Sequence, residues 1–248
     1  MEYYRFILYL IFGTLPSFIW LLYYLKKDLH PEPKRMIIKV FLIGCIITVP
    51  VYLLQVKITD FLNQLQIFPF FTYYPPLADV LKWFVAIAFI EEFFKFLAVK
   101  IGVFHSGQID EPIDLMIYMV VVALGFTAVE NILYLSAPLG NIGFTAIIQT
   151  TVIISFIRFI GATLLHTLCS ALLGYYIVLG ISKSKRNIFF LITGLVLASA
   201  FHGLYDFSIT VLKGPLSFII PTAIIMVLFT LMIDNFNKVK KLKGICKI

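Results

Sequence analysis

Phe89-Ile90-Glu91-Glu92-Phe93-Phe94-Lys95 lies in the middle of an otherwise apolar run covering residues 78–101, and this run decides how the chain is read. Twenty or so apolar residues are enough to cross a bilayer as a helix. Two carboxylates and an ammonium in such a run must face one another or a wet interior, because lipid offers them no partner. The rest of the composition agrees. Of 248 residues, 61% are hydrophobic and 13% are charged. Soluble domains are about a quarter charged and about half apolar, and a chain of this size could not hide so much apolar surface from water. The 25 Phe and 13 Tyr suit lipid contact and interfacial belts.

Working outward, seven stretches are long and apolar enough to span: 4–25, 36–56, 78–101, 113–136, 146–180, 188–212 and 216–234. Breakers separate them: the segment 26–35, Pro75-Pro76, Pro138 with Gly140, Ser182 to Arg186, and Gly214-Pro215. The first stretch lacks a small-residue cleavage site and is expected to be a retained helix. The fifth would reach about 50 Å at 1.5 Å per residue, so it is expected to be tilted, kinked near Gly161 or partly interfacial. The aromatic, partly polar segment Thr59 to Tyr74 is expected at the membrane surface. The expected fold is an all-α, polytopic transmembrane helical bundle of about seven spans enclosing a polar intramembrane cavity.

The net charge of +7 is carried by short loops and by the tail Lys238 to Lys243, which points to anionic lipid and orientation and not to nucleic acid. Lys26, Lys27, Lys34, Arg35, Lys39, Lys100, Lys183, Lys185, Arg186 and the tail fall on one side; the other side has Arg5, Lys57, Lys82 and Lys213. The positive-inside rule then puts the N-terminus outside and the C-terminus in the cytoplasm of a cell membrane. Cys45, Cys169 and Cys246 form neither a disulfide framework nor a Cys-rich metal site.

Ionisable residues recur inside four successive spans. Beyond Glu91, Glu92 and Lys95, these are Glu130 with Asn131, Arg158 and His166, and His202 with Asp206. Residues four apart share a helix face, so Glu91 pairs with Lys95 and His202 with Asp206. Arg158, Ala162, His166 and Ser170 form one stripe. Counted from the cytoplasmic ends, Glu91, Glu130, His166 and His202 lie roughly 15, 25, 21 and 21 Å deep at 1.5 Å per residue. Four carboxylates face two cations, Lys95 and Arg158. The excess negative charge calls for protons on carboxylates, charged histidines or a bound divalent cation. Taken singly, each feature also has a plainer reading. Glu92–Lys95 makes a structural ion pair, each His a hydrogen-bonded packing residue, and Asn131 and Tyr134 bridges between helices.

At these positions the chain resembles the PrsW family of bacterial intramembrane proteases, related to the CAAX-protease and bacteriocin-processing membrane peptidases. The family's pattern is a diglutamate with Lys three positions after the second Glu, Phe followed four later by Glu, Arg followed eight later by His, and His-x-x-x-Asp. Here it reads Glu91-Glu92-Phe93-Phe94-Lys95, Phe126 with Glu130, Arg158 with His166, and His202 with Asp206, in order on four spans. The resemblance implies one transmembrane peptidase domain over 1–248 with its core at about 78–212. It also implies an endopeptidase acting on a membrane protein, with a single-pass anti-sigma factor cut first in regulated intramembrane proteolysis.

Such a peptidase needs an activated water, a stabilised oxyanion and a proton for the leaving amine. Glu91 is the expected general base, with Glu92 either sharing that work or pairing with Lys95. His166 would orient water or bind a metal; His202 would stabilise the oxyanion or bind the same metal, with Asp206 fixing its tautomer. Arg158 would balance the carboxylates, Glu130 would serve as ligand or structural partner, and Asn131 could donate to the oxyanion. If zinc or another divalent cation is present, Glu91, His166 and His202 are the expected ligands, and Glu92 or Glu130 becomes the base. A first cut belongs on the outer side, yet Glu91 falls slightly toward the cytoplasm, so water or substrate must reach inward. The rival readings are a transporter or channel using the same residues as a proton or ion path, and a scaffold whose polar stripes only join helices.

Overall fold

The structure, a computed structural model, describes residues 2–26, 31–65, 75–137, 143–182 and 187–242. Among these residues every regular element is helical, and the helices run as seven rods in an up-and-down order. They are α1 (Glu2–Leu25), α2 (Lys34–Leu65), α3 (75–102), α4 (Pro112–Leu135), α5 (144–182), α6 (Asn187–Thr210) and α7 (Leu216–Val239). Six of them are long and apolar enough to cross a membrane. The remaining rod, α3, is compound and carries the buried charges. It joins Pro75–Val80, a π-helical stretch Leu81–Phe89 and Ile90–Gly102.

α4 is the axis of the bundle. Of its most apolar 18-residue stretch 94% is buried, against 17% for α1 and 22% for α7. A helix apolar on every side belongs in the interior, and α4 is packed by α1, α2 and α5. Its start is fixed by Pro112 in the first turn and by a capping box, in which Asp114 accepts the Glu111 N–H at 2.7 Å. Glycines set how closely the neighbours approach. A Cβ at Gly44 of α2 would fall 2.2 Å from the Val122 carbonyl oxygen, and one at Gly125 2.0 Å from that of Phe41. On the far side, Gly174 of α5 sits against the backbone of Met116.

The expected spans reappear with extended ends. α2 continues to Leu65, so residues 59–65 prolong a helix where a surface segment is expected; 66–74 lie outside the described residues. α7 runs on to Val239 through Asp234, Asn235, Asn237 and Lys238. These are polar but helix-compatible, so they end the apolar run without ending the helix. The basic residues Lys27, Lys183, Lys185 and Arg186 also lie outside the described residues, as does Cys246.

α5 is interrupted at Phe159–Thr163 by a π-helical turn, at the expected position of Gly161. A Cβ there would meet the Tyr205 hydroxyl at 2.4 Å, so the glycine makes room for α6. The turn matters for register. Eight residues of regular helix rotate by about 800°, which leaves Arg158 and His166 about 80° apart. One residue absorbed by a π turn removes about 100° of that and brings both side chains to the same side, where each reaches Glu130.

Candidate active site

The polar residues of α3, α4, α5 and α6 converge in one column between the rods. At its inner end lie Glu92 and Lys95, both wholly buried. Lys95 Nζ donates to Glu92 Oε1 at 2.8 Å, Ser170 Oγ donates to Glu92 Oε2 at 3.0 Å, and His202 Nδ1 lies 3.1 Å from Glu92 Oε1. Both oxygens of Glu92 are therefore engaged. The ion pair expected between Glu92 and Lys95 is formed.

The middle of the column holds Glu91, His166 and His202. The imidazole centroids are 4.6 Å apart and nearly perpendicular. Glu91 Oε2 is 3.6 Å from His166 Nδ1, 3.9 Å from His202 Nε2 and 3.5 Å from Lys95 Nζ. It is buried and accepts no hydrogen bond, while Glu91 Oε1 accepts one from Gln55 Nε2 at 3.0 Å. Phe126 walls this level, with Lys95 Nζ 4.6 Å from its ring centre.

The outer end is wetter. Glu130 Oε2 is 3.1 Å from both Arg158 Nη2 and His166 Nε2, and Asp206 Oδ2 is 3.3 Å from His202 Nε2. Side-chain exposure climbs along the column, from 0% at Glu92 and Lys95, through 5% at Glu91, to 20% at Asp206 and 30% at Glu130.

Two expectations change. Asp206 does not sit on the far nitrogen of His202. Glu92 occupies Nδ1, and Asp206 lies beside Nε2, the nitrogen that faces Glu91; a spacing of four brings the two side chains together but does not select the nitrogen. Asn131 does not point at the reacting centre either. Its amide donates to the Gly13 carbonyl at 3.2 Å and to Thr163 Oγ1 at 3.1 Å, and its carbonyl accepts from Arg158 Nε. It joins α1, α4 and α5, which is the bridging reading. Gln55 is an addition that the motifs do not contain.

The middle level suits a metal. Glu91, His166 and His202 each offer a ligand atom, all within 4.8 Å of one another, and a carboxylate with two imidazoles is a set found in catalytic zinc sites. Each imidazole has a carboxylate on its other nitrogen, Glu130 for His166 and Glu92 for His202, the usual outer support of a ligating histidine. Glu91 Oε2, buried and without a hydrogen-bond donor, lies within reach of both imidazoles. Lys95 Nζ also donates to His166 Nδ1 at 2.6 Å, a contact that would have to give way for that nitrogen to serve as a metal ligand.

Residues 32–233 match the model of the PrsW family, described as intramembrane metalloproteases. The chain belongs to this family. Curated relatives named protease PrsW align over more than three quarters of the chain. The one from Oceanobacillus iheyensis is 29% identical over 221 residues, 87% of this chain and 88% of the relative. The one from Bacillus subtilis is 27% identical over 235 residues, 94% of each chain, and the one from Shouchella clausii 30% over 193 residues, 77% and 79%. No solved structure matches. PrsW membership makes the chain a membrane-embedded peptidase whose substrates are membrane proteins, and it answers the transporter and scaffold alternatives.

Proposed function

We propose that this protein is a metal- and glutamate-dependent endopeptidase of the cell membrane, a single domain over 1–248, that makes the first cut in a single-pass anti-sigma factor on the non-cytoplasmic side. The observation that carries the reading is the exposure gradient of the polar column. Its open end, at Glu130 and Asp206, faces the bundle end where Leu65, Pro75, Ala137, Gly143, Thr210 and Leu216 lie. The opposite end carries Lys26, Lys34, Arg35, Lys39 and Lys100. With the positive side in the cytoplasm, water and substrate reach inward from outside to a centre buried below the surface.

Glu91, His166 and His202 would hold a divalent cation such as zinc. When bound, the ion supplies a polarised carbonyl and an acidified water. Glu92 accepts a hydrogen bond from the Nδ1–H of His202 and so leaves the Nε2 lone pair facing Glu91; Glu130, beside His166 Nε2, does the same for the Nδ1 lone pair of His166. Lys95 and Arg158 offset the carboxylates. Asp206 lies beside His202 Nε2 and keeps a fifth of its side chain exposed, so it is the carboxylate placed to accept the proton of the attacking water and return it to the leaving amine.

The test is the full-length protein purified in detergent, with metal analysis and cleavage of a single-pass substrate. Glu91→Gln and His202→Ala are expected to abolish cleavage while the helical signal and melting midpoint persist. Chelation is expected to abolish cleavage and zinc to restore it. A Glu91→Gln variant that cleaves at the unmutated rate removes Glu91 from the mechanism. Cleavage on the cytoplasmic side of the substrate's span overturns the assigned side.

A further inference from the structure

We infer that Gln55 of α2 is a positioning residue for Glu91, fixing which carboxylate oxygen faces the two histidines. The inference rests on the reading of Glu91 as the centre of the active site, and it adds a helix that carries none of the family's motifs.

A glutamate side chain rotates freely about its last bond unless something holds one oxygen. In Glu91 the holder is Gln55, whose Nε2 donates to Oε1 at 3.0 Å. The other oxygen, Oε2, is buried and accepts no hydrogen bond. It points between His166 Nδ1 at 3.6 Å and His202 Nε2 at 3.9 Å, with the Lys95 ammonium 3.5 Å away as its ion-pair partner. With Oε1 tied, Glu91 offers one oxygen to the gap and not two. A carboxamide suits the task, since it donates to a carboxylate without adding charge to a site already balanced by Lys95 and Arg158.

The placement of Gln55 is built into the packing of α2. The Gly44 and Gly125 contacts press α2 and α4 together backbone to backbone, at distances where no side chain can intervene. Thr48 Oγ1 adds donation to the Phe126 carbonyl at 3.3 Å, and Lys39 Nζ ties α2 to the Gly102 carbonyl of α3 at 3.0 Å. Gln55 is eleven residues beyond Gly44, about three turns, so it leaves α2 on nearly the same side. The clamp that fixes the depth of α2 therefore also fixes the reach of Gln55.

The test uses full-length protein in detergent with added zinc, comparing Gln55→Leu, Gln55→Glu, Gln64→Leu and Glu91→Gln. Gln55→Leu keeps the bulk and removes the donor. It is expected to lower kcat/KM about 10- to 100-fold, the usual range for groups that orient a ligand, mainly through kcat. It should also weaken zinc binding by a similar factor with the melting midpoint little changed. Gln64→Leu, exposed on the same helix, should match the unmutated protein.

Gln55→Glu gives a readout that a packing role would not move. Protonated, its carboxyl donates to Glu91; ionised, it repels Glu91. Its activity should persist at acid pH and fall as pH rises, shifting the profile toward acid. Lys95 and Glu92 on α3, Glu130 on α4, His166 on α5 and His202 with Asp206 on α6 face the same centre. They are common to both proteins, so the difference between profiles reports position 55. A Gln55→Leu variant with unchanged kcat and zinc affinity overturns the inference. If that variant does not fold, Gln55→Glu decides, and an unshifted profile overturns it. Glu91→Gln separates the failures: if it is inactive while Gln55→Leu is unaffected, only the role of Gln55 falls, whereas an active Glu91→Gln removes the site reading itself.

Discussion

The two ends of the polar column are built from the same kinds of residue and do different work. At the inner end Glu92 and Lys95 are wholly buried, and Glu92 spends both oxygens on Lys95, Ser170 and His202. At the outer end Glu130 and Asp206 keep 30% and 20% of their side chains exposed, and Asp206 stands beside the nitrogen of His202 that faces Glu91. A buried charge with every partner supplied is a structural commitment, since removing one partner strands the other in a low-dielectric interior. A partly exposed charge can exchange protons with water. The column therefore passes from wholly buried to partly exposed charge within a few turns of helix, with the Glu91, His166 and His202 level between.

The sharpest way to break that contrast is Lys95→Met. It removes the cation of the inner end and leaves Glu92 buried and unpaired by charge. Loss of one partner of a buried ion pair costs about 3–5 kcal/mol, so denaturation in detergent should show a loss of that size. Adding Glu92→Gln should recover much of it while impairing cleavage, because His202 Nδ1 would then face an amide in place of its carboxylate. A Lys95→Met protein as stable as the unmutated one would mean that the inner end is not structural.

Asp206→Asn probes the opposite end and should give the opposite pattern. The amide keeps the shape and cannot accept the proton, so turnover is expected to fall about 10²- to 10³-fold, within the usual range for a general base. Stability should change by less than about 1 kcal/mol, as expected for a partly solvated group. A stability loss as large as that of Lys95→Met would erase the distinction between the two ends.

Much of this was legible in the sequence, and what was not has specific physical reasons. Apolar runs mark the spans, because lipid demands them; they do not mark helix ends, because Thr59, Asp60, Asn63 and Gln64 leave lipid without leaving the helix. The convergence of Glu91, Glu130, His166 and His202 could be expected from depth and spacing. The Arg158–His166 alignment was expected from steps of four, but such steps drift by about 40° each, and it is the π turn at Phe159–Thr163, which the sequence does not announce, that corrects the drift. A glycine at 161 hints at a kink but carries no hydrogen-bond register. Gln55 was invisible for another reason: a lone amide near the end of an apolar run has no periodic partner, and its target lies 36 residues away on another rod. Asn131 shows the converse. It stands beside Glu130 in sequence, yet one helical position turns it away toward Gly13 and Thr163.

The smallest effect on turnover is expected at the boundary between the two ends, from Arg158→Leu. Arg158 pairs with Glu130 at 3.1 Å and lies over the Tyr134 ring at 4.4 Å, but its side chain is 10% exposed and Glu130 is wetter still. The paired atoms, Glu130 Oε2 and Arg158 Nη2, are themselves buried, and the Asn131 carbonyl also loses its donor; only the exposed part of Glu130 can gain water, so the stability loss should be about 2 kcal/mol, between that of a surface pair and that of a fully buried one. The effect on turnover is indirect. Freed from Arg158, Glu130 still lies beside His166 Nε2, and it becomes a stronger proton acceptor there, which holds the Nδ1 lone pair as firmly as before. Turnover should thus fall by no more than about tenfold, roughly 1.4 kcal/mol. If Arg158→Leu proves as damaging to folding as Lys95→Met, the outer end is as much scaffold as the inner one, and the exposure gradient loses its meaning as a path for water.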